Sequence, residues 1–138
     1  MKVTLKQLLD VISPLFNHLK AIPVPVDPAE HPTVLDRYDI TRFIGRLLPE
    51  LQAAEVARNE YGKQVGTPIL KDGEPMLDGT GQPVVSIPLG PGWLALMSRE
   101  VEVDVRPLPR AIWENCLPKM PAITTDEMMG MEPFLTPD

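Results

Sequence analysis

Residues 5–20 read LKQLLDVISPLFNHLK. Their apolar positions Leu5, Leu8, Leu9, Ile12, Leu15, Phe16 and Leu19 recur at the three- and four-residue spacing that lines up one face of a helix. Thr4 followed three residues later by Gln7 is the pattern of a capping box, which marks where that helix begins. Pro14 interrupts the pattern. Its ring has no N–H and crowds the preceding turn, so a kink or break is expected near Asp10–Ser13.

Outward from this helix the chain enters AIPVPVDPAEHPT, residues 21–33, whose four prolines predict an extended connector. A second helical pattern runs from about Leu35 to Tyr61, with Ile40, Phe43, Ile44, Leu47, Leu48, Leu51 and Ala54 in period. Arg46–Glu50 and Glu55–Arg58 are spaced for ion pairs on its exposed face. Gly62 is the expected C-terminal cap, and Pro49 is a point where the helix splits in two. Two amphipathic helices joined by a stiff linker predict an antiparallel helical pair covering each other's apolar stripes.

Residues 63–92 change character. Asp72-Gly73 and Asp78-Gly79 are turn dipeptides flanked by Ile69-Leu70, Met76-Leu77 and Val84-Val85, which predicts a small hairpin or meander with an exposed tip. After Gly90-Pro91-Gly92 comes a short helical turn, Trp93–Met97. Glu100–Arg106 then alternates charged and apolar residues, a strand with Val101, Val103 and Val105 facing the core. Arg110–Leu117 predicts a short helix, and Thr124 or Thr125 can cap a last turn around Asp126–Met131. The class is α+β in a single domain over residues 1–138. Residues 1–62 carry the helical pair; residues 63–138 carry a small antiparallel β segment and short helices.

Composition narrows the functions. Seventeen prolines among 138 residues are more than twice the usual proportion of roughly 5%, so much of the backbone must be irregular and seek hydrogen bonds elsewhere. The net charge is −6. Residues 1–62 hold seven basic and eight acidic side chains, and residues 63–138 hold six and eleven. Neither half offers the basic surface that displaces counterions from DNA or RNA, so direct nucleic-acid binding is not expected. No stretch approaches the ~18 apolar residues of a membrane span. Lys6, Gln7 and Asp10 interrupt the N-terminal apolar run, and no small-residue cleavage site follows it, so the chain reads as cytoplasmic at synthesis. One cysteine, Cys116, allows no intrachain disulfide.

Catalytic patterns are absent by spacing. His18 in the first helix and His31 near the end of the connector are the two imidazoles, and they read as capping or surface residues in preference to metal ligands. The aspartate-glycine turns lack the alternating oxygen ligands of a calcium loop. Ser86 and Ser98 have no neighbouring base, and Cys116 lies in an apolar turn as a small core residue. Gly79-Thr80-Gly81 lacks the rest of a dinucleotide fingerprint, and no phosphate-binding loop occurs. The row Glu100, Glu102, Asp104 reads as a solvated strand face. No enzyme and no cofactor is expected.

Contact with other proteins is the function left. Met128, Met129, Met131, Phe134 and Leu135 form an apolar group that either docks on another subunit or folds back on its own core. Trp93 is a further candidate, since tryptophan is enriched at interface hot spots.

The order of features carries a resemblance. An N-terminal amphipathic helix precedes a second helix with Tyr38, Arg42 and Arg58 that ends at Tyr61-Gly62. A glycine-proline turn region, Glu100-Val-Glu-Val103 and Thr124-Thr-Asp126 … Glu132-Pro-Phe-Leu135 follow. The chain is similar to small bacteriophage and prophage proteins built to this plan; Pro14, Pro49 and Gly90-Pro-Gly92 depart from it. The resemblance brings no catalytic residues. It implies a virion component or assembly factor whose partners are other phage structural proteins or copies of itself, or else an inhibitor of a host protein, found in the host cytoplasm and, in the first case, in the virion.

Overall fold

The computed structural model describes residues 1–137. The chain opens with β1 (Lys2–Thr4) and turns directly into the first helix, α1, over residues 5–20. The capping box forms as expected: Gln7 N–H donates to Thr4 Oγ1 at 3.1 Å, and Thr4 N–H donates to Gln7 Oε1 at 2.9 Å. Pro14 does not break the helix. Instead Leu8–Ile12 widens to π geometry, with Ser13 N–H bonding back to Leu8 O, before α geometry resumes at Ser13–Lys20. The wider turn makes room for the proline ring that an α-turn would crowd. Leu8, Leu9, Val11 and Ile12 of this turn are all in the core.

The connector is not uniformly extended. Asp27 folds it into a local turn, its carboxylate accepting from Ala29 N–H at 2.9 Å and its carbonyl from Glu30 N–H at 2.9 Å. Arg37 reaches back to the carbonyls of Ile22 and Pro23 and ties the two ends together. The second helix, α2 (Val34–Val65), is continuous through Pro49. Pro49 is exposed and so is Gly45, the residue whose carbonyl loses its donor. Water can take that carbonyl, so the proline costs the helix little. Gly62 lies inside α2, not at its end, with its backbone buried under Ile87 and Val85. Gly66 is the cap, in an extended conformation.

The β structure comprises three two-stranded antiparallel sheets among the described residues. The predicted strand at Glu100–Arg106 forms a ladder only over Glu100–Glu102, β6. Its partner is the N-terminal β1, with Lys2 opposite Glu102 and Thr4 opposite Glu100. Three residues were too short for the pattern of β1 to stand out. Val103 and Val105 are buried and Val101 is half-buried, as alternation requires. β2 (Thr67–Pro68) pairs with β5 (Val85–Ser86), and β3 (Leu70–Lys71) with β4 (Glu74–Pro75).

Three short helices complete the chain: α3 (Pro91–Met97), α4 (Arg110–Cys116) and α5 (Thr125–Gly130), the last capped by Thr124 through Glu127 N–H at 3.1 Å. The core gathers the widened segment of α1 and the inner face of α2 with Trp113, Cys116, Met120, Met131, Phe134 and Leu135.

Candidate interaction surfaces

The C-terminal apolar group divides. Met131 is 1% exposed, Phe134 0% and Leu135 5%, so these three belong to the core and not to a docking patch. The Phe134 ring meets Phe43 of α2 edge-on, centroids 6.3 Å apart. A strap of hydrogen bonds holds the segment down. Leu108 N–H donates to Phe134 O at 2.8 Å, and Thr136 N–H donates to Leu108 O at 2.9 Å. Arg110 adds a two-pronged pair to Glu132 at 2.9 and 2.7 Å, which holds the Glu132 carboxyl below the usual range. Met128 is half-buried, and Met129 alone of the group is exposed. Trp93 is half-buried against Tyr61, centroids 6.0 Å apart.

The histidines are separately engaged. His18 Nε2 lies 2.6 Å from Glu127 Oε2, joining α1 to α5. His31 Nδ1 lies 3.4 Å from Asp36 Oδ2. Asp36 also completes a capping box with Thr33 and accepts from the Asn115 amide at 3.3 Å. Partial burial works to raise its pKa, but the Thr33, His31 and Asn115 hydrogen bonds outweigh it, and the carboxyl is more acidic than usual. Cys116 is fully buried; burial first, and the Asp36 charge second, push its thiol up to about 11 against an opposing pull from Arg37. A thiol so placed stays protonated at neutral pH and is a poor nucleophile.

Of the surfaces left open among the described residues, two bear on contact with a partner. The first is the hairpin lobe beyond α2. Every residue from Thr67 to Pro83 is exposed, including Leu70 at 61% and Leu77 at 57%. Its turns are well built. Asp72 and Gly73 both take positive φ, 55° and 80°, the tight hairpin turn the dipeptide predicts. Asp78 accepts from the Thr80 hydroxyl at 2.6 Å, Thr80 N–H at 2.8 Å and Gln82 N–H at 3.1 Å. These bonds keep its carboxyl ionised to lower pH. At the root, Gly66 leaves no room for a side chain: a Cβ there would sit 2.3 Å from the Gly62 carbonyl oxygen.

The second surface is a groove of about 580 Å³ between α2 and the extended chain at Asp104–Pro109. Phe43, Val105, Leu108 and Ile112 give it an apolar floor, and Arg42, Arg46 and Arg106 stand along it with Asp39 and Asp104. The ion pairs expected at Arg46–Glu50 and Glu55–Arg58 are not made among the described residues. An ion pair near the surface gains too little to fix two long side chains, and Arg46–Glu50 also has its arginine on the less favourable N-terminal side. Sequence reasoning placed Arg42 and Arg46 on a helix face but gave no sign that Arg106 would join them.

Among the described residues no helix is long and apolar enough to cross a membrane. No family model, curated protein or solved structure matches this chain.

Proposed function

We propose that this chain is a non-enzymatic bacteriophage protein that works by protein–protein contact, as a minor virion component or an assembly factor of the head–tail connector or tail region. The phage context rests on the resemblance in feature order. The observation that supports contact as the mode of action is the hairpin lobe, which keeps Leu70 and Leu77 in water. Its turns are hydrogen-bonded at Asp78, and it offers apolar surface and short strand edges to a neighbour.

The test is to produce particles with tagged wild-type chain and with a Leu70→Ser/Leu77→Ser variant, and to quantify both in purified particles and assembly intermediates. Loss of the variant, with its thermal unfolding unchanged, supports the reading. Absence of the wild-type chain from every particle fraction overturns it. The net charge of −6 favours a second reading, a phage inhibitor that docks on a basic surface of a host protein. That reading expects one stoichiometric host partner, recovered without particles and released by salt.

A further inference from the structure

The open groove between α2 and Asp104–Pro109 has three properties that together define an occupant. The first is unspent positive charge. Arg42 and Arg46, one helical turn apart, face Arg106 across the groove, and none of the three makes an ion pair or side-chain hydrogen bond among the described residues. The second is the apolar floor beneath them. The third is unused backbone. The β1–β6 ladder ends where Val103 N–H bonds to Met1 O at 2.8 Å, and the strap resumes only at Leu108. Between them the backbone N–H groups of Asp104 and Arg106 have no partner among the described residues. Val105 N–H turns back onto Val103 O at 3.0 Å, so the stretch bends at Asp104 and offers these two donors to the groove.

We infer that the groove is a binding site for an extended acidic peptide segment of a partner protein. The segment accepts hydrogen bonds from the Asp104 and Arg106 N–H groups, sets alternate carboxylates against Arg42, Arg46 and Arg106, and lays the intervening apolar side chains over half-buried Ile112. Arginine suits this task because its planar fork takes a carboxylate in two parallel bonds, and the two main-chain donors add affinity that does not depend on side-chain identity. Asp39 and Asp104 sit on the same groove and the whole chain is acidic. Both repel a continuous polyanion such as RNA, whereas a peptide with alternating charge avoids them. The site lies about 30 Å along α2 from the root of the hairpin lobe, counting from Arg42 to Gly62 at 1.5 Å per residue, so it is a second surface and does not depend on the first.

The experiment uses the full chain and a fluorescently labelled peptide alternating glutamate and valine, read by anisotropy. Binding is expected to weaken about tenfold in Arg42→Ala/Arg46→Ala and several-fold in Arg106→Ala, and to fall as salt rises from about 0.05 to about 0.5 M. All three arginines are exposed, so the variants keep the wild-type unfolding temperature. The inference is overturned if the glutamate peptide does not bind, if its lysine counterpart binds equally, or if the arginine variants bind as the wild type does. It is also overturned if inorganic phosphate or a single-stranded oligonucleotide displaces the peptide at equal concentration. Particle incorporation of the Leu70→Ser/Leu77→Ser variant is scored separately, so failure of either surface leaves the other's result standing.

Discussion

Phe134→Ala separates a C-terminal segment that is core from one that is a docking patch. The Phe134 side chain is 0% exposed and packs edge-on against Phe43, so truncation removes a whole buried ring and leaves a cavity between the segment and α2. Buried phenylalanine-to-alanine changes cost about 3–5 kcal/mol. With a urea dependence of about 2 kcal/mol per molar for a chain of this size, the unfolding midpoint falls by roughly 1.5–2.5 M while the slope is unchanged. The matching thermal shift is about 10–15 °C. Met129→Ala is the control, because Met129 is 67% exposed, and its effect stays within about 0.5 kcal/mol. Urea titrations followed by tryptophan fluorescence measure both variants; Trp113 is itself in the core. A loss below about 1 kcal/mol for Phe134→Ala, or equal losses for the two variants, refutes the docked segment.

Asp36→Ala removes the N-terminal box of α2 and destabilises the chain by about 1 kcal/mol at neutral pH. Because the folded carboxyl titrates below its ordinary 3.8, its contribution is present above that value and lost as pH falls through the folded one. Wild type and variant therefore converge in acid denaturation profiles, and a gap that widens toward acid counts against the assignment. Cys116, with its thiol raised to about 11 and no exposure, resists iodoacetamide at pH near 8 in the native chain and reacts once urea unfolds it; intact mass reads this, and prompt native labelling contradicts the burial. Gly130→Ala places a methyl 2.5 Å from Val11 Cγ2, forcing α5 away from the widened turn of α1. The expected loss is about 1–3 kcal/mol in the same urea titration, and a neutral result means the two elements are not packed as described.

What the sequence disclosed was whatever depends on neighbours within one turn or one hairpin. The Thr4–Gln7 box, the Asp72-Gly73 turn, the Thr124 cap and the inward Val103 and Val105 were all readable, because each is decided by residues within a few positions. At Pro49 the expected split is absent, and at Pro14 the irregularity expected near Asp10–Ser13 takes the form of a π turn over Leu8–Ile12 and not of a break. Whether a proline breaks a helix depends on what surrounds the carbonyl it disables, and that is a tertiary fact. At Pro49 the affected carbonyl belongs to exposed Gly45, and at Pro14 the helix keeps its backbone bonding by widening over Leu8–Ile12. The Gly62 cap failed similarly, since only the fold brings Val85 and Ile87 onto that glycine. β1 was invisible because a three-residue strand gains its identity from its partner about a hundred positions away.

The arginine groove illustrates the same division at the level of function. Alternation put Arg106 outward, and helical spacing put Arg42 and Arg46 beside Phe43; neither pattern says the two sets meet. They meet because the parallel bridge between Leu108 and Leu135 anchors the far end of the extended stretch, while the β1–β6 ladder anchors the near end. The groove is therefore stretched between two fixed points, and its geometry is tied to Phe134 and the strap that buries it. It follows that Phe134→Ala lowers peptide affinity by loosening one wall even though Phe134 touches no ligand, whereas the arginine substitutions lower affinity with stability intact. Measuring both quantities for both variants distinguishes a groove that is held open by the fold from three arginines that merely add charge to a surface.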